Sequence, residues 1–178
     1  MQQQYFWRIG PSGLEANYPV EIGRFWSKLP ANLTHIDAIY EKPSGLREMV
    51  IFIGKQYWIY PNNEQSLGPY PLTDLGLPED LEKLDGALVW GHNGKTYFFS
   101  GTMYWRSVKI NRNLFTQNKR LTFFYMTNRF DEETGKVELD YPRDMSMWKG
   151  VPYNIDAVFQ HTSDEQTNGQ RTNGMYFV

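Results

Sequence analysis

Histidine is the first side chain to weigh for chemistry, and the chain has three: His35, His92 and His161. A helical zinc-hydrolase site needs two histidines four residues apart with a glutamate between them. None of the three is so paired, so that chemistry is excluded from these residues, and each histidine reads as a loop or strand-end residue. There is no cysteine, which excludes a disulfide framework, a thiolate zinc site and a cysteine nucleophile within the chain. The carboxylate pairs Glu79-Asp80 and Glu132-Glu133 have no neighbour that would shift a pKa and read as solvated. No Gly-x-Ser-x-Gly elbow and no phosphate-binding glycine loop is present. Two features remain. Three aspartates recur in one setting, an apolar–Asp–small triplet: Ile36-Asp37-Ala38, Leu84-Asp85-Gly86 and Ile155-Asp156-Ala157. Asn32-Leu33-Thr34 is an N-glycosylation sequon.

The elements that carry these residues follow from composition. The chain has 178 residues, which allows one domain. Eighteen basic against 20 acidic residues give a net charge of −2, so this is no basic polymer held to nucleic acid by counterion release. No apolar run approaches the ~20 residues of a membrane-spanning helix. Met1 to Gly10 lacks the charged and apolar regions of a signal peptide. Zero cysteine, taken alone, points to a reducing compartment. Aromatic residues are abundant and Gly, Pro, Asn and Asp punctuate the chain at short intervals. Short aromatic strands between frequent turns predict an all-β sandwich, barrel or propeller.

A repeat decides among these. The aspartate triplet is followed by an aromatic–Trp pair (Phe6-Trp7, Tyr57-Trp58, Tyr104-Trp105) and then by Tyr-Pro (Tyr18-Pro19, Tyr70-Pro71, Tyr141-Pro142). Asp37 to Asp85 spans 48 residues and Asp85 to Asp156 spans 71, a difference of 23. The whole excess falls between Trp105 and Tyr141. A period near 48 matches the ~40–50 residues of a four-stranded propeller blade. Strands are predicted at Ile36–Glu41, Met49–Ile53, Gln56–Tyr60, Asp85–Trp90, Lys95–Phe99 and Met103–Arg106, with a poorer fourth strand before each Tyr-Pro. Trp7, Trp58 and Trp105 are expected mid-strand in the core between blades.

The segments Ile36 to Glu41, Gly94 to Phe99 and Tyr141-Pro142-Arg143-Asp144 resemble hemopexin repeats. More narrowly they resemble the hemopexin-like domain of matrix metalloproteinases, and Arg129 to Gln160 is most similar to the membrane-type members. The resemblance implies an all-β, four-bladed β-propeller, incomplete at both ends. Residues 1–34 would be the outer part of blade one, 35–83 blade two, 84–153 blade three, and 154–178 the start of blade four. It also implies a calcium ion in the axial channel, bound by oxygens around Asp37, Asp85 and Asp156; the alternative is that these carboxylates cap turns. The chain itself is then no enzyme. Its work would be binding: to extracellular matrix proteins such as collagen, to tissue inhibitors of metalloproteinases, or to a second copy in a homodimer. Hydrolysis would belong to a zinc catalytic domain N-terminal to Met1, in a protein that is secreted or anchored at the cell surface. The other family reading is a non-protease hemopexin-repeat protein of adhesion or haem transport.

The 23 extra residues fall at about 106–128 and interrupt a predicted strand. They carry five basic residues (Arg106, Lys109, Arg112, Lys119, Arg120) and no acidic one, against 13 basic and 20 acidic in the remainder. Three readings stand: a basic loop for heparan sulfate or an acidic partner, an ordinary solvated loop, or an in-frame intron carried into the translation. Asn32 bears on location, since its use as a glycan acceptor requires secretion. The missing cysteines no longer argue for the cytosol, because the ring-closing cysteines of such domains would lie outside residues 1–178.

Overall fold

A computed structural model describes residues 5–10, 12–42, 48–61, 66–107, 136–167 and 170–177. It is all-β apart from short helical turns. Blade two is a four-stranded antiparallel sheet of β5 (Ala38–Glu41), β6 (Met49–Ile53), β7 (Gln56–Tyr60) and β8 (Leu67–Pro71). Blade three repeats it with β9 (Gly86–Trp90), β10 (Lys95–Ser100), β11 (Met103–Arg106) and β12 (Arg143–Asp144). Blade four contributes the antiparallel pair β13 (Val158–Thr167) and β14 (Gln170–Phe177). Blade one contributes β1 (Tyr5–Phe6) paired with β4 (Val20–Glu21), and between them a small hairpin, β2 (Ile9–Gly10) and β3 (Gly13–Leu14). Among the described residues the blades thus contribute two, four, four and two strands, and the small hairpin is additional. The innermost strands lie side by side, β5 against β9 and β9 against β13.

The apolar pattern explains why these sheets stack. In β6 and β7, Ile51 and Trp58 face blade one, where they join Ile22, Trp26 and Leu29. Their neighbours Val50, Phe52, Tyr57 and Ile59 face the opposite way, toward Ala87, Phe98 and Trp105 of blade three. Blade three does the same: Tyr97, Phe99 and Tyr104 face Val158 of blade four. Successive side chains point to opposite faces of a strand. With both faces covered, the strands are apolar throughout rather than alternating. Burial drives the tyrosines of this core, Tyr40 and Tyr57, well above the ordinary phenol pKa.

Each outer strand runs into a helical turn that plugs the gap to the next blade. α1 (Ile22–Phe25) buries Ile22, the turn Leu72–Leu75 buries Leu72 and Leu75, and the turn Met145–Met147 buries Met145. Trp148, just past the last turn, touches Trp90, Tyr97, Phe99, Tyr104 and Phe177, with ring centroids 5.4–5.9 Å apart.

Three expectations change. The fourth strand follows Pro19 and Pro142 instead of preceding Tyr-Pro, and in blade two it contains Tyr70-Pro71. Ladder register sets Phe6 opposite Val20, Tyr57 opposite Tyr70, and Tyr104 opposite Arg143. The equivalent prolines are therefore Pro19, Pro69 and Pro142, all after cis peptide bonds, and Tyr70-Pro71 is displaced by two residues. Trp58 and Trp105 are buried mid-strand opposite Ile51 and Phe98. Trp7, however, is 59% exposed, because it lies past β1 in a two-stranded sheet where no second strand covers it among the described residues. Finally, Arg106 still belongs to β11, and Ser107 bridges to Val137. The chain thus leaves the sheet after its third strand, in a connection, where insertions are tolerated. Residues 108–128 of the extra segment lie outside the described residues.

The small residue after Asp85 is set by blade-to-blade approach. A Cβ built on Gly86 would lie 2.4 Å from Val158 Cγ1. Overpacking of this kind costs about 1–3 kcal/mol. Gly86→Ala is expected to lower stability by that amount, and Val158→Ala in the same chain to recover part of it, read as denaturant midpoints of the wild type, the two single variants and the double variant.

Candidate functional site

The aspartates of the triplets stand at equivalent places. Asp37 and Asp85 immediately precede or adjoin the inner strands β5 and β9, and their N–H groups donate to Phe52 O at 3.0 Å and Phe99 O at 2.8 Å. Each side chain then reaches the turn between the second and third strands. Asp37 Oδ2 accepts the Gly54 N–H at 2.6 Å, and Asp85 Oδ2 accepts the Gly101 N–H at 2.7 Å. Gly54 and Gly101 have φ of 54° and 55°, which glycine adopts without a Cβ penalty. One carboxylate therefore fastens the start of a blade to its second turn.

The other oxygen is also engaged. His35 Nε2 lies 3.0 Å from Asp37 Oδ1, and Lys83 Nζ lies 3.2 Å from Asp85 Oδ1. Both partners sit two residues before their aspartate; Asn154 holds that place before Asp156. Lys83 is held in its charged form above the ordinary lysine value, first by the hydrogen bond to Asp85, with Asp37 and Asp156 adding their charge. The three aspartates therefore converge on one end of the inner strands. Each carboxylate oxygen of Asp37 and Asp85 has one protein partner, which leaves further lone pairs on both side chains. No group of three His, Cys, Asp or Glu side chains is arranged for a metal among the described residues. The turn-capping role, the alternative open in the sequence, is the one the geometry displays. Asp156 is exposed ahead of β13.

The remaining candidates are dispersed. His35 is largely exposed, with Thr34 Oγ1 2.9 Å from its Nδ1. His92 lies in the turn after β9, its ring 5.4 Å from Trp90. The side chain of His161 and the pair Glu132-Glu133 lie outside the described residues. Glu79 and Asp80 are exposed, as expected of solvated carboxylates. Asn32 is exposed in the connection between blades one and two.

Sequence reasoning missed a charge cluster at the outer side of blade three. Glu138 accepts hydrogen bonds from Lys95 Nζ at 2.6 Å and from the Arg106 guanidinium, whose Nε lies 2.7 Å away. Arg106 and Arg143 then flank the Tyr141 ring, their guanidinium carbons 5.2 and 4.8 Å from its centroid. Arg143 is paired with Asp140. Arg106, counted among the loop charges of the extra segment, is therefore a strand residue with a carboxylate partner. The pairing spans 32 residues and leaves no local signal.

Comparison with known proteins places this architecture. The Hemopexin family model matches residues 36–79 and 84–110. The chain is a hemopexin-like domain. It is 48% identical over 158 residues to matrix metalloproteinase-2 of Drosophila melanogaster, covering 88% of this chain and 18% of that protein. It is 34% identical over 155 residues to human matrix metalloproteinase-25 (86% and 23%), and 34% over 164 residues to stromelysin-3 of Xenopus laevis (91% and 28%). The chain thus spans roughly a fifth to a quarter of these relatives. Among solved structures, a hemopexin fold protein, CP4 from cow pea, aligns with 99% of this chain and 86% of its own at a TM-score of 0.55 and 14% identity. That similarity supports the fold. The second family match ends at residue 110, close to where the hemopexin-like domain leaves β11.

Two outcomes test the electrostatics. Asp85→Ala strips the Gly101 N–H of its acceptor, at a cost of about 1–3 kcal/mol. The loss should be equal in calcium and in chelator, because it belongs to the turn; Asp85→Asn, which keeps an acceptor oxygen, should lose less. Burial pushes the Glu138 carboxyl up, but the hydrogen bonds from Arg106 and Lys95 outweigh it and hold it below its ordinary value. Its stabilisation is complete above the unfolded carboxyl pKa, about 4.3, and is lost as pH falls through the lower folded value. Glu138→Gln should therefore be less stable than wild type at neutral pH, with the gap closing below about pH 4, as read from urea midpoints across pH.

Proposed function

We propose that this hemopexin-like domain is the non-catalytic recognition part of an extracellular zinc-dependent matrix metalloproteinase. The observation that carries the reading is the 48% identity over 158 residues to a matrix metalloproteinase, beside the Hemopexin match at residues 36–79 and 84–110. Matrix proteins such as collagen, tissue inhibitors or a second copy are the partners this role requires. Zinc and peptide hydrolysis belong to another part of the gene product, and the protein works outside the cell, in secreted or surface-anchored form.

The surface has a region suited to binding. β12 is the edge strand of its sheet, and beside it stand the Arg106–Tyr141–Arg143 stack and the exposed apolar side chains of Leu139 and Met147. Arginine, tyrosine and exposed apolar groups are the residues enriched where proteins bind proteins. A calcium ion at the axis would be held by oxygens around Asp37, Asp85 and Asp156, backbone carbonyls among them.

The full-length protein, cut against a short peptide and against native collagen, tests this role. Removing the domain should leave peptide turnover unchanged and lower collagen turnover by tenfold or more, the loss of about 1.4 kcal/mol or more of binding. Equal loss on both substrates would overturn the recognition role.

A further inference from the structure

We infer that Asn32 carries an N-linked glycan. Asn32-Leu33-Thr34 is the single Asn-x-Ser/Thr triplet in the sequence, and neither the middle residue nor the following His35 is proline. The structure presents it in a form that an oligosaccharyl transferase accepts. Asn32 ends a surface turn closed by the Leu33 N–H donating to Pro30 O at 3.0 Å, and residues 33–37 belong to no strand or helix. Leu33 packs against the cluster of Ile22, Trp26, Leu29, Ile51 and Trp58. On either side of the partly buried Leu33, Asn32 and Thr34 are exposed.

The acceptor group is also free. Asn32 makes no hydrogen bond among the described residues. Other asparagines among the described residues have structural roles in turns. Asn93 donates to the Tyr97 hydroxyl and accepts the Lys95 N–H, while Asn17 and Asn154 hold left-handed turns. The donor would be a polyprenyl-diphosphate-linked oligosaccharide. Asn32 Nδ2 bonds to the anomeric carbon of the first sugar, the carbon–oxygen bond to the diphosphate breaks, and the amide proton goes to a base of the transferase. A glycan here stands on the connection between blades one and two, away from the outer edge of blade three, so that edge stays open to protein partners.

The inference rests on the extracellular reading, and the test separates the two. The full-length protein is expressed in a secreting insect or mammalian cell and followed by its appearance at the surface or in the medium, and by its mobility with and without peptide N-glycosidase. Because the intact protein contains other segments, the band followed is a proteolytic or epitope-tagged fragment spanning this domain. The expected result is a fragment whose mobility shift on deglycosylation disappears in Asn32→Gln and in Thr34→Ala and persists in Thr34→Ser. Export with no shift in the wild-type fragment would overturn the glycan while leaving the extracellular reading intact. Failure of the wild type to leave the cell, with no glycan on the retained protein, would overturn both.

Discussion

The two central blades depend on sheets that bury both faces. A lone antiparallel sheet commonly has one wet face; here Ile51 and Trp58 point toward one neighbour, and Val50, Phe52, Tyr57 and Ile59 toward the other. Two-sided burial fixes the composition, because a polar residue at either alternate position would lie in a core. It also fixes the spacing of the blades. Where inner strands approach, Gly86 leaves no room for a side chain against Val158. The helical turns after the outer strands follow from the same constraint. Twisted sheets set side by side diverge toward the rim, and Trp148 and the Leu72–Leu75 turn supply volume where strands alone leave space.

Stacking of this kind is short of directional information, and the aspartates supply it. Asp37 and Asp85 tie the first strand of a blade to its second turn through one charge-assisted hydrogen bond to a glycine N–H. Such bonds are about twice as strong as neutral ones. The flanking Lys83 then balances charge that would otherwise repel where inner strands crowd together, and His35 meets the second oxygen of Asp37. A buried pair does comparable work at the far end of blade two: Lys42, with a fully buried side chain, lies 3.3 Å from Glu48 across the base of the β5–β6 hairpin. Breaking such a pair strands a charge in the interior, which is why it holds register more firmly than its net stabilisation implies.

The extent to which this was legible in the sequence follows from the same physics. The strands Met49–Ile53, Gln56–Tyr60 and Met103–Arg106 coincide with those read from the residues, since two-sided burial writes unbroken apolar runs bounded by glycine turns. The outer strands are two residues long in blades one and three, at a sheet edge, with polar side chains such as Arg143 and Asp144, and no periodicity can mark them. That is why Tyr-Pro served as their proxy and misplaced blade two by two residues. Aspartate recurrence located the inner strands, but residue type alone could not reveal the turn cap; the positions of Gly54 and Gly101 do. The Glu138 cluster, the buried Lys42 and the exposure of Trp7 are facts of tertiary contact between residues far apart in the chain or of which strands lie alongside.

Scaffold and open edge are thereby separated in space. The repeated geometry of inner strands, aspartate caps and rim plugs lies between blades, where any change is felt by two sheets. The outer edge of blade three carries no such load. Its ladder is short, its backbone groups are open on one side, and its side chains form ion pairs and ring contacts that can exchange partners without disturbing the core. The long connection of blade three departs from this same edge, after Ser107, and returns by Lys136. An insertion at that point adds surface next to the exposed strand at little cost to the stack, since loop-closure entropy grows only slowly with length. A propeller blade can in this way alter what it binds while the residues that hold it to its neighbours stay fixed.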